Sequence, residues 1–172
     1  MTTYVGYIAM SLDGFIADKG GSVAWLDPFN ALLAGDTGYA DFITDVDAVL
    51  MGRTSHEQVI GWGWPYEDRA NYVLTRQAGY AGDHVTAAGD IDTLRGAIQT
   101  AGHKRVWVIG GGEAQRAALD AGMFNTLQVF VMPTILGGGK ALFSPGKQHN
   151  LKLASCHEMA GGILNITYHI ED

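Results

Sequence analysis

The sequence predicts an α/β fold in which helices pack on a mixed β-sheet and a C-terminal antiparallel hairpin closes the sheet. Short apolar runs alternate with segments of helical periodicity as far as residue 132. Two long strand-like segments then follow, Leu151–Met159 and Ile163–Ile170, and the pair Gly161-Gly162 joins them. The 172 residues are 47% apolar and 17% charged, which is a globular composition, so we expect one domain spanning residues 1–172.

The strands are predicted from short apolar runs bounded by polar or glycine residues, a pattern typical of strands buried in a sheet. In chain order these runs are residues 4–10, 48–51, 71–74, 84–87, 105–109 and 127–132. The stretch between the first two, residues 11–25, is polar and glycine-rich and is longer than an ordinary connection. Its apolar segment Phe15–Ala17 predicts a small strand inside a functional loop.

Helices are predicted between these strands where apolar residues recur at helical spacing. The segments that show this spacing are residues 36–45, a segment that runs toward Ile60, Ile91–Ala101 and residues 113–121. Thr54 or Ser55 is expected to cap the second of these helices, because a hydroxyl can accept a first-turn N–H. Gly102 and Gly122 are expected to end the last two.

The charge, the N-terminal sequence and the cysteine and histidine content together exclude several classes of protein. Eighteen acidic residues against eleven basic ones give a net charge of −7, and the longest basic cluster is the pair Lys104-Arg105, so no nucleic-acid partner is expected. The N-terminus has no basic segment and Asp13 interrupts its apolar run, so we expect neither a signal peptide nor a membrane span. The single Cys156 fits a reducing compartment and predicts a cytoplasmic protein. The six histidines lack metal-ligand spacing, so no metal is expected.

Three predicted strand ends carry residues suited to anionic oxygens. Gly110-Gly111-Gly112 lies between a strand and a helix, where backbone N–H groups can approach a phosphate. Arg53 and Thr54 follow the predicted strand over residues 48–51, and Thr75 and Arg76 follow the predicted strand over residues 71–74. Ligands in open α/β sheets gather at the carboxyl ends of strands, so the three together predict a polyphosphate site, such as one for a dinucleotide carrying an extra phosphate. Taken singly, each is also explained as an ordinary strand–helix turn.

The order of these motifs resembles that of a known superfamily. The motifs are Ser-Leu-Asp-Gly-Phe-Ile-Ala at 11–17, Met-Gly-Arg-Thr at 51–54, Leu-Thr-Arg at 74–76, Ile-Gly-Gly-Gly at 109–112, Pro-Thr-Ile-Leu-Gly-Gly-Gly at 133–139 and Leu142-Phe143. The set resembles the dihydrofolate reductase-like superfamily, and specifically the branch that includes the C-terminal reductase domain of the bacterial riboflavin-biosynthesis deaminase–reductase. The resemblance implies a mostly parallel sheet of about eight strands flanked by helices, with the C-terminal hairpin antiparallel.

NADPH is the cofactor that this resemblance implies. The implied cofactor-binding residues are Ala9, Gly52, Arg53, Thr54, Leu74, Thr75, Arg76, Ile109, Gly110, Gly111, Gly112, Glu113 and Ala114. Among them, Gly52, Arg53 and Thr54 would hold the pyrophosphate, which residues 110–114 would cradle from the other side. Thr75 and Arg76 would meet the 2′-phosphate, and Ala9 would lie against the nicotinamide.

The acceptor side is expected to use a carboxylate, because one grips the pteridine ring in dihydrofolate reductases. Counting back from Met51-Gly52 places Asp36 at the matching position, and Asp27 or Asp41 could take its place if the loop contains insertions. Asp13 belongs to a motif that lies near the cleft in the riboflavin branch. Trp25 is a candidate for contact with an aromatic ring. Each aspartate is also explained as a helix cap or a surface charge.

The resemblance implies an NADPH-dependent oxidoreductase that passes a hydride to a flat heterocycle, either dihydrofolate or another pterin, or a riboflavin-pathway pyrimidine, as a 5-amino-6-(5-phosphoribosylamino)uracil reductase does. The strand 127–132 lacks the threonine that folate reductases usually carry, which favours the riboflavin branch. The alternative is a non-catalytic nucleotide- or flavin-binding protein that retains the cofactor cleft. A homodimer that pairs through sheet edges or hairpins is a further implication.

Overall fold

The computed structural model describes residues 1–33, 37–63, 65–66 and 68–171. In chain order its elements are β1 (Thr3–Ser11), β2 (Phe15–Ala17), α1 (Asp27–Leu33), α2 (Tyr39–Thr44), β3 (Ala48–Gly52), α3 (Arg53–Gly61), β4 (Ala70–Leu74), β5 (Val85–Ala88), α4 (Ile91–Ala101), β6 (Arg105–Gly110), α5 (Gly112–Asp120), β7 (Phe124–Met132), β8 (Lys140–Ala141), β9 (Leu151–Met159) and β10 (Ile163–Ile170). Short 3₁₀ turns at Ala24–Leu26 and Ala160–Gly162 precede α1 and β10.

Eight strands form one sheet in the order β5-β4-β3-β6-β1-β7-β10-β9. The first six in this order are parallel to one another, whereas β10 pairs antiparallel with both β7 and β9. The remaining two strands, β2 and β8, pair with each other as a separate antiparallel ribbon. This architecture confirms the predicted mixed sheet and its C-terminal antiparallel hairpin.

The central strands are apolar throughout because both of their faces are covered. On β3, Leu50 belongs to the cluster that packs under α4 and α5, whereas Val49 and Met51 belong to the cluster on the opposite face with Val59 of α3. Alternate residues of a strand point to opposite faces, so a strand covered on both sides reads as a continuous apolar run. This is the pattern from which the strands were predicted.

Two details of the helices differ from the prediction. Neither Thr54 nor Ser55 caps α3; its N-cap is Gly52, and no side chain accepts a hydrogen bond there. The structure also contains α1, a helix of seven residues that was not predicted from the sequence. Its first turn does carry the pair Asp27-Pro28, a composition typical of a helix start.

Element boundaries otherwise agree with the sequence to within a few residues. The predicted helix over 36–45 corresponds to α2, and the predicted strand over 127–132 begins earlier, at Phe124.

Among the described residues, no helix is both long and apolar enough to cross a bilayer. Nor do the described His, Cys, Asp and Glu residues form a group of three or more that could hold a metal ion.

Candidate functional site

A cavity of about 1150 Å³ lies at the carboxyl ends of the central parallel strands. Residues from the ends of β3, β4 and β6 line it, together with residues of β1 and β7. Parallel strands that lie side by side bring their carboxyl ends to one edge of the sheet, so loops far apart in sequence meet there. The cavity is therefore a consequence of the strand order.

One part of the cavity, the polar half, is lined by backbone and small polar groups. Its residues are Gly52, Arg53, Thr54, Ser55, Thr75, Arg76, Gly110, Gly111, Gly112, Glu113, Lys140, Ala141 and Ser144. Helices α3 and α5 both begin in it, and neither has a side-chain cap. First-turn N–H groups have no partner inside their own helix, and the dipole makes that end positive. Two helix starts that face one cavity are suited to a ligand with anionic oxygens.

Close backbone packing accounts for Gly112 in this half, and backbone conformation accounts for Gly110. A β-carbon on Gly112 would lie 2.5 Å from the carbonyl oxygen of Ala141, so any larger residue would displace the start of α5. Gly110 has a φ of +142°, a conformation that other residues rarely adopt, and the Gly110–Gly111 peptide bond is cis. Gly112 thus allows the start of α5 and β8 to meet at the cavity wall.

Hydroxyl groups and cations complete the polar half. The Arg53 guanidinium donates to both carboxylate oxygens of Glu57, one turn along α3, at 2.8 and 3.1 Å. The Thr75 hydroxyl accepts the backbone N–H of Gln77 at 3.1 Å, which holds the turn after β4 that presents Arg76. Arg76 itself is exposed and lines the cavity. An exposed guanidinium at a cavity rim can bind an anionic oxygen without first losing much hydration.

The other part of the cavity, the aromatic half, is lined mainly by rings and aliphatic side chains. Its residues are Tyr7, Leu33, Tyr39, Val59, Tyr66, Trp107, Phe130 and Met132. They come from the two apolar clusters that lie between the sheet and helices α1, α2 and α3. A wall of this kind suits a flat, largely apolar ligand.

Contacts among the rings fix the shape of this wall. Tyr7 stacks on Phe42, with ring centroids 4.3 Å apart, and its hydroxyl donates to the Thr37 carbonyl at 2.6 Å. Trp107 contacts the Tyr66 ring edge-on at 5.6 Å and donates its indole N–H to the Tyr7 carbonyl at 3.3 Å. Burial raises the pKa of Tyr66 and of Tyr7, so both hydroxyls keep their protons at neutral pH.

All thirteen residues expected to bind the cofactor line this one cavity: Ala9, Gly52, Arg53, Thr54, Leu74, Thr75, Arg76, Ile109, Gly110, Gly111, Gly112, Glu113 and Ala114. They come from four segments that are distant in sequence. The structure thus brings together the strand ends that were singled out from the sequence. What they bind remains a prediction at this stage.

The residues expected on the acceptor side are more scattered. Asp36 lies outside the described residues. Asp27 in α1 and Asp41 in α2 are exposed, and neither is among the residues that line the cavity. Trp25 packs against Phe29, and its neighbour Leu26 lines the cavity. Their roles toward an acceptor stay predictions.

Asp13 is not among the residues that line the cavity, and its role toward an acceptor stays a prediction. Its carboxylate accepts hydrogen bonds from the Ser11 hydroxyl at 2.6 Å and from the backbone N–H groups of Leu136 and Gly137 at 3.1 and 2.8 Å. These bonds, that from Ser11 first, lower the pKa of Asp13. Because it ties the loop after β1 to the loop after β7, Asp13 positions the segment that leads to Lys140.

The sequence analysis missed most of the aromatic half. Tyr7, Tyr39, Tyr66, Trp107 and Phe130 look like ordinary core residues in a linear sequence. One signal was available, since Tyr7 stands two residues before Ala9 and so lies on the same face of β1. The other rings reach the cavity from separate elements, and only the packing of those elements shows it.

Comparisons of sequence identify relatives of this chain. A sequence profile described as the RibD C-terminal domain matches residues 5–165. YwjB of Bacillus subtilis (strain 168), an uncharacterized protein, is 35% identical over 141 residues, which are 80% of this chain and 80% of YwjB. A dihydrofolate reductase of Mycobacterium tuberculosis is 27% identical over 117 residues, covering 68% of this chain and 65% of the reductase.

Comparisons of structure agree with those of sequence. A protein of Shewanella sp. PV-4, provisionally described as a riboflavin biosynthesis protein, superposes with a TM-score of 0.87 at 26% identity over 100% of both chains. A diaminohydroxyphosphoribosylaminopyrimidine deaminase/5-amino-6-(5-phosphoribosylamino)uracil reductase of Thermotoga maritima superposes with a TM-score of 0.70 at 16% identity, covering 99% of this chain and 57% of the Thermotoga chain. At this level of identity, the similarity to the Thermotoga protein is one of fold alone.

Proposed function

Because the chain belongs to the RibD C-terminal domain family and has the dihydrofolate reductase-like fold, we propose that it is an NADPH-dependent reductase that passes a hydride to a small flat heterocycle. Family and fold support a reductase of the pyrimidine or pterin type. We further propose that the cofactor is NADPH and that the thirteen cavity residues named above bind it. The observation that carries it is the convergence of three strand-end motifs on one cavity.

The polar half fits a dinucleotide phosphate. The uncapped starts of α3 and α5 would hold the pyrophosphate between them, with Gly112 allowing the close approach. Thr75 and Arg76 would receive the 2′-phosphate at the rim, where a guanidinium can donate to two phosphate oxygens. NADPH bound in this way would supply the hydride.

The protein's own contribution is to orient the acceptor and exclude water. Ala9 lines the cavity on the same strand face as Tyr7 and pairs with Phe130 of β7, so the nicotinamide ring would face the aromatic half. The rings of that half would hold the acceptor parallel to the cofactor and keep water from the reacting atoms. Asp36 is the proposed carboxylate for the acceptor, with Asp27 and Asp41 as the alternatives.

The rest of the proposal concerns the whole protein. We infer that the chain works as one domain in the cytoplasm and pairs as a homodimer through its C-terminal strands. Strand β9 forms one edge of the sheet and exposes Leu151 and Leu153, which suits pairing with a second copy. Sedimentation at several protein concentrations would test the dimer.

A titration with NADPH, and with NADH in parallel, tests the cofactor assignment. Trp62 and Trp107 line the cavity, so a bound dinucleotide is expected to quench tryptophan fluorescence. We expect saturable binding of NADPH that is roughly tenfold tighter than that of NADH, since a hydrogen bond to a charged group contributes about 1.5–3 kcal/mol. Failure to bind either dinucleotide would contradict the proposal and favour the alternative of a flavin- or nucleotide-binding protein without reductase activity.

A further inference from the structure

The charged groups of the cavity are unequally divided between its two halves. Among the described residues that line it, the charged ones are Arg53, Arg76, Glu113 and Lys140, and all four belong to the polar half. Lys140 is assigned to this half because the carbonyl oxygen of its neighbour Ala141 lies close to Gly112. Of the six residues outside the described ranges, none is a lysine, arginine or histidine: Ala34, Gly35, Asp36, Trp64, Glu67 and Asp172.

The described residues that line the aromatic half offer a ligand only neutral side-chain contacts. Its polar side-chain atoms are the indole N–H of Trp107, which donates to the Tyr7 carbonyl, and the hydroxyls of three tyrosines. Burial keeps the hydroxyls of Tyr7 and Tyr66 protonated. At its edge, Asn30 of α1 adds an exposed amide. Ring faces and neutral hydrogen-bonding groups recognise a flat ring that carries hydroxyl or amide groups.

Among the described residues of this half, an anionic tail on the acceptor would find no cationic partner. Moving a phosphate or carboxylate from water to a site without a cation is costly, because nothing there replaces its hydration. The net charge of −7 adds a field that opposes a second anion. The cations of the polar half do not relieve this cost, because on the proposed function the dinucleotide phosphates occupy them.

We propose that the acceptor is a flat, uncharged heterocycle with no phosphate or carboxylate tail. This inference rests on the proposed function and narrows it. It separates this chain from an enzyme that takes a phosphoribosylated pyrimidine, and also from one that takes a folate with its glutamate tail. The residues that carry the inference are the rings of the aromatic half, including Tyr7, Tyr39 and Trp107.

Riboflavin and FMN form a matched pair of probes, because they share one flat ring system and differ by a single phosphate. The protein is first titrated with NADP⁺, and failure to bind it refutes the proposed function itself. With NADP⁺ held at saturation, so that the polar half cannot accept the FMN phosphate, each flavin is titrated by the quenching of its own fluorescence. We expect riboflavin to bind at least as tightly as FMN. Tighter binding of FMN, or no binding of either flavin, would overturn the inference while leaving the cofactor assignment intact.

Two variants locate the bound ring. Tyr39→Ala removes one wall of the aromatic half and is expected to weaken riboflavin and FMN by similar factors, about tenfold, with NADP⁺ affinity changed less than about twofold. Arg76→Ala should have the opposite effect: the affinity for NADP⁺ should fall, and the affinity for riboflavin should stay unchanged. A loss of riboflavin binding in Arg76→Ala but not in Tyr39→Ala would place the ring in the polar half and contradict the inference.

Discussion

Gly112 is the residue whose replacement tests the architecture of the site most directly. A β-carbon at this position would lie 2.5 Å from the Ala141 carbonyl oxygen, 3.4 Å from the Ser144 nitrogen and 3.5 Å from the Leu142 carbonyl oxygen. The φ of Gly112 is not in the left-handed region, so the cost of Gly112→Ala comes from this steric conflict alone. All three atoms belong to backbone, which cannot swing aside as a side chain can.

The expected loss of stability follows from the size of the conflict. Overpacking by one methyl group against backbone costs about 1–3 kcal/mol. For a chain of 172 residues, a loss of about 2 kcal/mol lowers the melting temperature by roughly 4–8 °C. Relief of the conflict also shifts the start of α5 and its N–H groups, so we expect NADPH to bind at least about tenfold more weakly.

Gly96→Ala is the matched control for this measurement. Gly96 lies inside α4, and a β-carbon there would meet nothing within 4 Å. Alanine favours a helix over glycine by about 0.5–1 kcal/mol, so this variant should melt at a slightly higher temperature and bind NADPH normally. Thermal unfolding followed by circular dichroism and the fluorescence titration measure both effects. If Gly112→Ala melts and binds as the unsubstituted protein does, the reasoning about close packing at the cavity wall is wrong.

Four further predictions concern single charged residues. Arg76→Ala should weaken NADPH roughly tenfold while NADH affinity stays within about twofold, and equal losses in the two titrations would remove the 2′-phosphate role. Asp36→Asn should lower kcat at least about 100-fold with NADPH affinity unchanged, and normal turnover would refute the carboxylate assignment. Asp13→Ala should speed proteolysis of the loop over residues 133–139 and lower kcat less than about tenfold, whereas a loss above about 100-fold would give Asp13 a direct role in the reaction. Hydrogen bonds from Arg116 and then His149 lower the pKa of Asp120 from 3.8 to about 2, so its stabilising contribution is complete above the unfolded value and is lost as the pH falls toward 2. The melting temperature of Asp120→Asn should therefore fall less, as the pH falls toward 2, than that of the unsubstituted protein. If the melting temperatures of the two proteins depend on pH in the same way, this role of Asp120 is contradicted.

The polar half could be predicted from the sequence because each of its motifs is local. Gly110-Gly111-Gly112 and Met51-Gly52-Arg53 each join a strand to the helix that follows, so the residues that form each turn are neighbours in the sequence. Once the strands were assigned, the rule that parallel carboxyl ends share an edge was enough to expect these turns in one place. The cap of α3 was mispredicted because Thr54 and Ser55 fall inside the first turn, where a hydroxyl is past the position that accepts the first N–H.

The aromatic half required the tertiary structure because its members share no local pattern. Tyr39 comes from α2, Trp107 from β6 and Phe130 from β7, and in each element the ring occupies a position that also suits a core residue. The hydrogen bonds of Asp13 could not be predicted either, because they join it to Leu136 and Gly137, more than 120 positions away.

The sequence by itself determined the class of fold, the alternation of strands and helices, the hairpin and the three strand-end motifs that line the polar half. These depend on periodicity, turn chemistry and hydrogen bonding between neighbours, which act over a few residues. Only the tertiary structure decided which rings face the cavity and how charge is divided between its two halves. Those features depend on the packing of α1, α2 and α3 against the sheet, and packing joins residues that the linear order keeps apart.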